Sequence, residues 1–235
     1  MKTIGVVGGV AWPSSIIYYQ KINELIAHRL GGSGRHCAKL VLAQTDFDEV
    51  ERRQVEGRWD LVGEMIAEQA NKLKAAGADF YIIACNTVHT AADTFQAKVD
   101  LPFIHIVDPA AQHAVAEGYR TVGLLGSRYT MTGTYFINRL KERYGLKVLV
   151  AEGEHENNVH NALYDELTKG IFRPETRVKF KAALEDLANR GAEAVILGCT
   201  EFGMLIKEDD CLIPLIDTTV THAKAAVDMA LNQID

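Results

Sequence analysis

Short apolar runs alternate with longer amphipathic segments along the chain. The first run covers residues 3–7 and enters the loop Gly8-Gly9-Val10-Ala11-Trp12-Pro13-Ser14-Ser15. Ser14 or Ser15 can open a helix there, which the pattern predicts over 16–30 and Gly31-Gly32-Ser33-Gly34 stops. A second strand is expected over 38–44. A polar stretch, 46–59, carries Glu51-Arg52-Arg53-Gln54, and a helix over about 60–76 ends near Gly77. A third strand, 79–84, delivers Cys85; a helix over about 88–99 then leads to a fourth strand at 101–107.

The pattern then restarts. Thr121-Val122-Gly123-Leu124-Leu125-Gly126-Ser127 resembles Thr3-Ile4-Gly5-Val6-Val7-Gly8-Gly9. The run 192–198 before Cys199 resembles 78–84 before Cys85, and Ile213-Pro214-Leu215-Ile216-Asp217 resembles Leu101-Pro102-Phe103-Ile104 with the later Asp108. The shared offset of roughly 115 residues is the mark of an internal duplication. Strand–helix alternation predicts an α/β fold of two pseudo-symmetric domains, each a four-stranded parallel sheet flanked by helices. The expected boundaries are 1–107 plus 217–235 for the first domain and 108–216 for the second, with a last helix over 218–233 that returns to the first. Ligands of such sheets gather at the carboxyl ends of the strands, so the active site is expected in the cleft between the domains.

Bulk properties narrow the function by exclusion. At 235 residues with 48% hydrophobic side chains, the chain can bury a sizeable core. A net charge of −6 gives no nucleic-acid footprint, and no apolar run reaches membrane-span length. The N-terminal run is too short and glycine-rich for a signal peptide. Four cysteines without a disulfide framework fit a reducing cytoplasm.

Cys85 and Cys199 each stand where a strand ends and a helical segment begins. Free N–H groups and the helix dipole at such a junction stabilise a thiolate and attract a carboxylate. Two thiols in matched contexts can serve as a base on one face of a carbon and an acid on the other, which is what inverting a C–H centre requires. Asn86, Thr87 and Thr200 are the candidate carboxylate donors. Further substrate contacts are expected from Val10 and Ser14 of the first loop, and from Ser127 and Thr130 of its counterpart. Cys37 and Cys211 lack this context and read as structural. Cys85 and His89 have a spacing that metals use, but no second ligand pair exists, so no metal site is expected and His89 is assigned to support of the cysteine. The Gly8-Gly9 loop lacks the spaced glycines of a dinucleotide site.

The opening Gly8-Gly9, Cys85-Asn86-Thr87 with His89, and Gly198-Cys199-Thr200-Glu201 resemble the aspartate/glutamate racemase family across essentially the whole chain. The resemblance implies cofactor-independent racemisation, with no pyridoxal phosphate and no metal. It puts the two bases at Cys85 and Cys199, Cys199 acting on the L form and Cys85 on the D form. Glu201, where glutamate racemases usually carry histidine, favours the aspartate branch. In that branch an arginine and a lysine grip the side-chain carboxylate; the nearest residues here are Arg52 and Lys169, both displaced from the usual spacing. Gln54 resembles a broad-specificity branch instead. The partners implied are a small amino-acid substrate and a second copy in a homodimer. Rival readings are a hydantoin racemase, a maleate isomerase or a decarboxylase on the same scaffold. A decarboxylase would keep only one cysteine. A non-catalytic acidic-ligand binding protein is the reading from another class.

Overall fold

The computed structural model describes residues 1–231 and is α/β throughout. It divides into two compact units, one of Met1–Ile106 joined by the chain from His222 onward, the other of Val107–Thr221.

The first unit contains β1 (Ile4–Gly8), α1 (Trp12–Leu30), β2 (Leu40–Gln44), α2 (Phe47–Val55), α3 (Trp59–Ala75), β3 (Phe80–Ile83), a 3-10 turn (Thr87–Ala91) and α4 (Ala92–Gln96). The strands are parallel in the order β2-β1-β3. Every residue of β1 and β3 is buried, as in a sheet covered on both faces. Their side chains alternate between two cores. Ile4, Val6, Phe80 and Ile82 meet Tyr18, Ile22 and Ile26 of α1 together with Ala223, Ala226 and Val227. Val7, Tyr81 and Ile83 meet Val62, Ile66, Ala70 and Leu73 of α3. Each such large side chain, fully buried, contributes about 1.5–3 kcal/mol.

Three local expectations change. The first sheet has three strands rather than four. Where the fourth was expected, only Phe103 bridges Tyr81. The Ile106 N–H, which would continue a ladder, donates instead to His89 Nε2 at 3.3 Å. The helix expected over 88–99 is split into the 3-10 turn and α4. Its first α-helical acceptor, the Cys85 carbonyl, is taken by the His89 side chain at 2.8 Å, and the His89 N–H falls back to the Asn86 carbonyl at 3.0 Å. Inside the polar stretch 46–59 lies α2, capped by Asp46, with acids in its first turn and Arg52 and Arg53 in its last. Only Val50 and Gln54 of this helix are buried, so it offers no apolar period to read.

The second unit contains α5 (Val107–Ala116), β4 (Thr121–Gly126), α6 (Arg128–Thr132), α7 (Thr134–Asn138), β5 (Lys147–Val150), α8 (Glu154–Asp165), α9 (Pro174–Asn189), β6 (Ala194–Gly198), α10 (Phe202–Leu205) and β7 (Leu215–Asp217). Its parallel sheet runs β5-β4-β6-β7, the order of the first sheet with a full strand where the first has a bridge. Leu125, Val195 and Leu197 pack against Leu163 of α8 and against Phe180, Leu184 and Leu187 of α9. The last helix, α11 (Thr218–Ala230), starts in this unit and ends in the first. Asn232 and Gln233, the predicted end of that helix, lie outside the described residues. Among the described residues, no helix is long and apolar enough to cross a membrane.

Candidate active site

Each unit presents a thiol just beyond the carboxyl end of a strand beside the unit's first strand. In the first unit, Ala84 N–H donates to the Val7 carbonyl at 2.9 Å, and Cys85 follows. On the other side of β1, Thr45 N–H donates to the Gly8 carbonyl at 3.1 Å. Cys85 and Thr45 therefore flank the Gly8-Gly9 loop, separated by two strand spacings, or about 10 Å. The glycines are obligatory here. A β-carbon on Gly8 would collide with Ser15 Oγ, and one on Gly9, at φ +82°, with the Thr45 carbonyl. Ser15 Oγ accepts the Gly9 N–H at 2.9 Å and so ties the loop to α1. Val10 and Ser14 are buried beside it, and Val10 and Cys85 pack in one cluster with Phe47 and Val50 of α2.

Asn86 and Thr87 are buried at the start of the 3-10 turn. The Thr87 carbonyl accepts the Thr90 hydroxyl at 2.7 Å. His89 is fully buried; its Nδ1 lies 2.8 Å from the Cys85 carbonyl and its Nε2 accepts the Ile106 N–H. Those partners define a neutral ring with the proton on Nδ1. Burial, with His105 and His222 nearby, holds its pKa well below the ordinary histidine value. With both nitrogens engaged by backbone, the ring has no lone pair to give a metal.

Residues of α2 separate by face. Arg52 is exposed and lines a surface depression with Glu49, Glu64 and Glu68. Gln54, two positions on, is 3% exposed, and its Nε2 has no hydrogen-bond partner. The structure thus brings Gln54 inward and leaves Arg52 outside. The Thr45 hydroxyl, not foreseen from sequence, is also buried without a partner.

In the second unit, the side chain of Thr130 lies against the α-carbon positions of both Gly126 and Gly198, where a β-carbon would meet its methyl at 2.8 and 3.1 Å. This contact seats Thr130 beside the strand that delivers Cys199. The Thr130 hydroxyl is 3.2 Å from Ser127 Oγ and 3.2 Å from Tyr135 OH. Tyr135, on the short α7, carried no sequence signal because that helix has no apolar period.

Cys199 Sγ donates to Glu201 Oε2 at 2.9 Å, and Thr200 Oγ1 donates to the same oxygen at 2.8 Å. Glu201 is 3% exposed. The thiol proton of Cys199 is thus held against a buried carboxylate. Lys169 closes a 3-10 turn before Gly170 and is exposed. Cys211 is held in its thiol form by burial, and Cys37 is exposed.

The model of the Asp/Glu/Hydantoin racemase family matches residues 7–226. The chain is 24% identical over 182 residues to the broad specificity amino-acid racemase RacX of Bacillus subtilis, covering 77% of this chain and 73% of that one. It is 31% identical over 172 residues to the glutamate racemase of Deinococcus radiodurans, covering 71% of this chain and only 55% of the relative. Among solved structures, a Yersinia pestis protein assigned to the Asp/Glu racemases superposes with TM-score 0.90 at 37% identity, covering 99% of this chain and all of that one. An aspartate racemase homologue from Pyrococcus horikoshii superposes with TM-score 0.82 at 29% identity, covering 99% and 100%. Fold and family match agree: the chain belongs to the Asp/Glu/Hydantoin racemase family.

Proposed function

We propose that the protein is an amino-acid racemase that inverts the α-carbon by 1,1-proton transfer between Cys85 and Cys199, without a cofactor. The observation that carries this reading is the repetition of one local design. Each unit ends a buried parallel strand on a cysteine, beside a glycine junction backed by a hydroxyl: Ser15 at Gly8-Gly9, Thr130 at Gly126. Two half-sites acting on opposite faces of one substrate supply the base and the acid that inversion needs. Asn86, Thr87 and Thr200 serve the α-carboxylate, with Val10, Ser14 and Thr130 shaping the pocket. Glu201 manages the proton of Cys199. In the enantiomer assignment, Cys199 serves the L form and Cys85 the D form.

Aspartate is the proposed first substrate. The exposed Arg52 and Lys169 argue against a dedicated acidic grip by those two residues. The partnerless amide of Gln54 supports a wider range of side chains, glutamate among them, because a neutral donor accepts a carboxylate or an amide carbonyl. The test is incubation of each enantiomer of a panel of amino acids in deuterated water, following optical rotation and α-deuteration. Racemisation with deuterium incorporation is expected for aspartate; no exchange with any member of the panel would sink the reading.

A homodimer is proposed as the working form. Trp12, Ile16 and Tyr19 follow each other on one exposed face of α1, next to Leu42 of edge strand β2. Covering them in two copies would bury on the order of 900 Å², so flanking residues must join them to reach the roughly 1,200 Å² of a specific interface. Serine at Trp12 and Tyr19 together is expected to yield a monomer in sedimentation velocity. An unchanged dimer would move the interface elsewhere. Four free cysteines suit a reducing compartment, and the cytoplasm is the proposed location.

A further inference from the structure

Three buried histidines lie in the first unit behind the Cys85 turn. His89 and His222 are fully buried and His105 nearly so. The His89 ring is 4.7 Å from that of His105 and 6.3 Å from that of His222, and it stacks on Phe103 at 5.5 Å. Their hydrogen bonds run mainly to backbone. His89 joins the Cys85 and Asn86 carbonyls, at 2.8 and 3.2 Å, to the Ile106 N–H at 3.3 Å. His222 donates from Nε2 to the Ile104 carbonyl at 2.9 Å, and its Nδ1 is hydrogen-bonded to the Tyr18 hydroxyl at 2.9 Å. The His89 ring is therefore neutral with its proton on Nδ1, while His222 carries a proton on Nε2, toward the Ile104 carbonyl.

The place of these bonds in the chain is the informative part. The chain leaves the first unit after Ile106 and re-enters it at His222. The outgoing segment is held by His89 and His222 at Ile106 and Ile104; the incoming segment is held through His222 itself. One of these two histidines also grips the carbonyl of Cys85. Sheet pairing ends at Ile104, whose N–H donates to the Tyr81 carbonyl at 3.2 Å, so at the Ile104 carbonyl and the Ile106 N–H the histidines take over.

We infer that His89 and His222 are positioning residues that tie the Cys85 turn to both crossings of the chain between the units, so that the thiol takes its place together with the segment that carries the second unit. The inference rests on Cys85 being a reacting group. The two histidines touch neither thiol nor substrate in this scheme; they act through backbone.

Two substitutions at one position separate the bonds. His89→Asn keeps a donor where Nδ1 stands, for the Cys85 carbonyl, and has nothing to accept the Ile106 N–H. His89→Gln places its amide where Nε2 stands and reverses the choice. In His89→Asn, the Ile106 amide is expected to exchange with deuterium about tenfold faster, as one lost buried hydrogen bond allows. Racemisation kcat is expected to fall by about tenfold with KM within about twofold, the pattern of a misplaced reacting group. In His89→Gln, the Ile106 protection stays while the alkylation rate of Cys85, followed by peptide mass spectrometry, changes.

Wild-type kcat in both variants would overturn the inference. So would a fall in kcat with Ile106 exchange and Cys85 alkylation both unchanged. If His89→Asn does not fold, the pair His222→Gln and His222→Leu takes its place. Glutamine keeps a donor for the Ile104 carbonyl and should restore the kcat that leucine loses; equal kcat in the two would refute the anchorage. Exchange and alkylation do not depend on turnover. A wild-type protein that racemises nothing would count against the racemase reading, while these two readouts would still decide the coupling.

Discussion

Replacing Glu201 by glutamine tests the proposal that this carboxylate controls the proton of Cys199. The carboxylate accepts the thiol of Cys199 at 2.9 Å and the hydroxyl of Thr200 at 2.8 Å. Ionising Cys199 would set a thiolate against that carboxylate. Two unit charges 2.9 Å apart repel by about 1.4 kcal/mol even with the screening of bulk water, and by several times that at the effective dielectric of a partly buried site. Glu201 is 3% exposed, so the bulk-water figure is a lower bound. Glutamine keeps the shape and an acceptor oxygen and removes the charge. At neutral pH the thiolate fraction of Cys199, and with it the rate of iodoacetamide alkylation, should rise by about tenfold or more. The assay is pseudo-first-order alkylation at several pH values, with Cys85 changed to serine and the labelled peptide identified by mass spectrometry. The energetics also constrain turnover. The enantiomers of an amino acid have equal free energy, so kcat/KM must change by the same factor for both. Glu201→Gln can alter the ratio of the two kcat values but not that equality. Alkylation of Cys199 that is unchanged or slower in the variant would refute the argument that the carboxylate keeps this thiol protonated.

Further outcomes follow from the same geometry. Alanine at Cys85 or at Cys199 should abolish racemisation of both enantiomers, and each variant should exchange the α-proton of at most one enantiomer with solvent deuterium. Full racemisation by either variant would contradict the two-base scheme. Gln54→Leu should stabilise the apo protein slightly, by about 1 kcal/mol in a denaturant melt, because it removes a buried donor that has no partner. It should also raise KM most for substrates with a side-chain carbonyl, and a KM unchanged across the panel would remove Gln54 from the pocket. His89 is buried neutral, with its pKa depressed below the ordinary 6.5 by burial and by the neighbouring His105 and His222. The unfolded chain then binds the extra proton first, so the stability His89 contributes is complete above about pH 6.5 and is lost as pH falls toward the folded-state value. Chemical denaturation between pH 7.5 and 5 should show this loss, and His89→Gln should flatten it.

Much of the fold was legible because its signals are periodic. The strands β1, β3, β4 and β6 are short apolar runs bounded by glycine or by a turn, and parallel strands buried on both faces read that way. The duplication was legible for the same reason, since it repeats the strand ends Gly8 and Gly126 and the thiols Cys85 and Cys199. What the pattern missed was decided by single hydrogen bonds. The Ile106 N–H goes to a histidine rather than to a neighbouring strand, so the fourth strand shrinks to a bridge. The His89 side chain takes a carbonyl that a helix would have used, so the helix after Cys85 begins as a 3-10 turn. No hydrophobic period encodes either event. Helix α2 escaped because it buries only Val50 and Gln54, too few to make an apolar stripe, while its Asp46 cap and end charges mark its ends.

The candidate site divides along the same line. Residues adjacent in sequence to a strand end, such as Asn86, Thr87, Thr200 and Glu201, were legible because the strand's direction fixes where they emerge. Residues that face the site from a helix depend on rotation about its axis, and there spacing misleads. Arg52 and Gln54 are two positions apart on α2 and therefore lie about 200° apart around it. The cation, chemically the more obvious ligand for an acidic substrate, lies with Glu49, Glu64 and Glu68 on the surface, while the neutral amide is turned inward. The turns after the two cysteines also differ. The turn after each cysteine keeps its place, but the side chain that stabilises it differs. In the first half a neutral histidine bonds to the cysteine's carbonyl; in the second a carboxylate bonds to the cysteine's sulfur. In the proposed two-base scheme the first sets position and the second sets charge. A two-base racemase has use for both, because inversion requires one thiol to be ionised while the other is not.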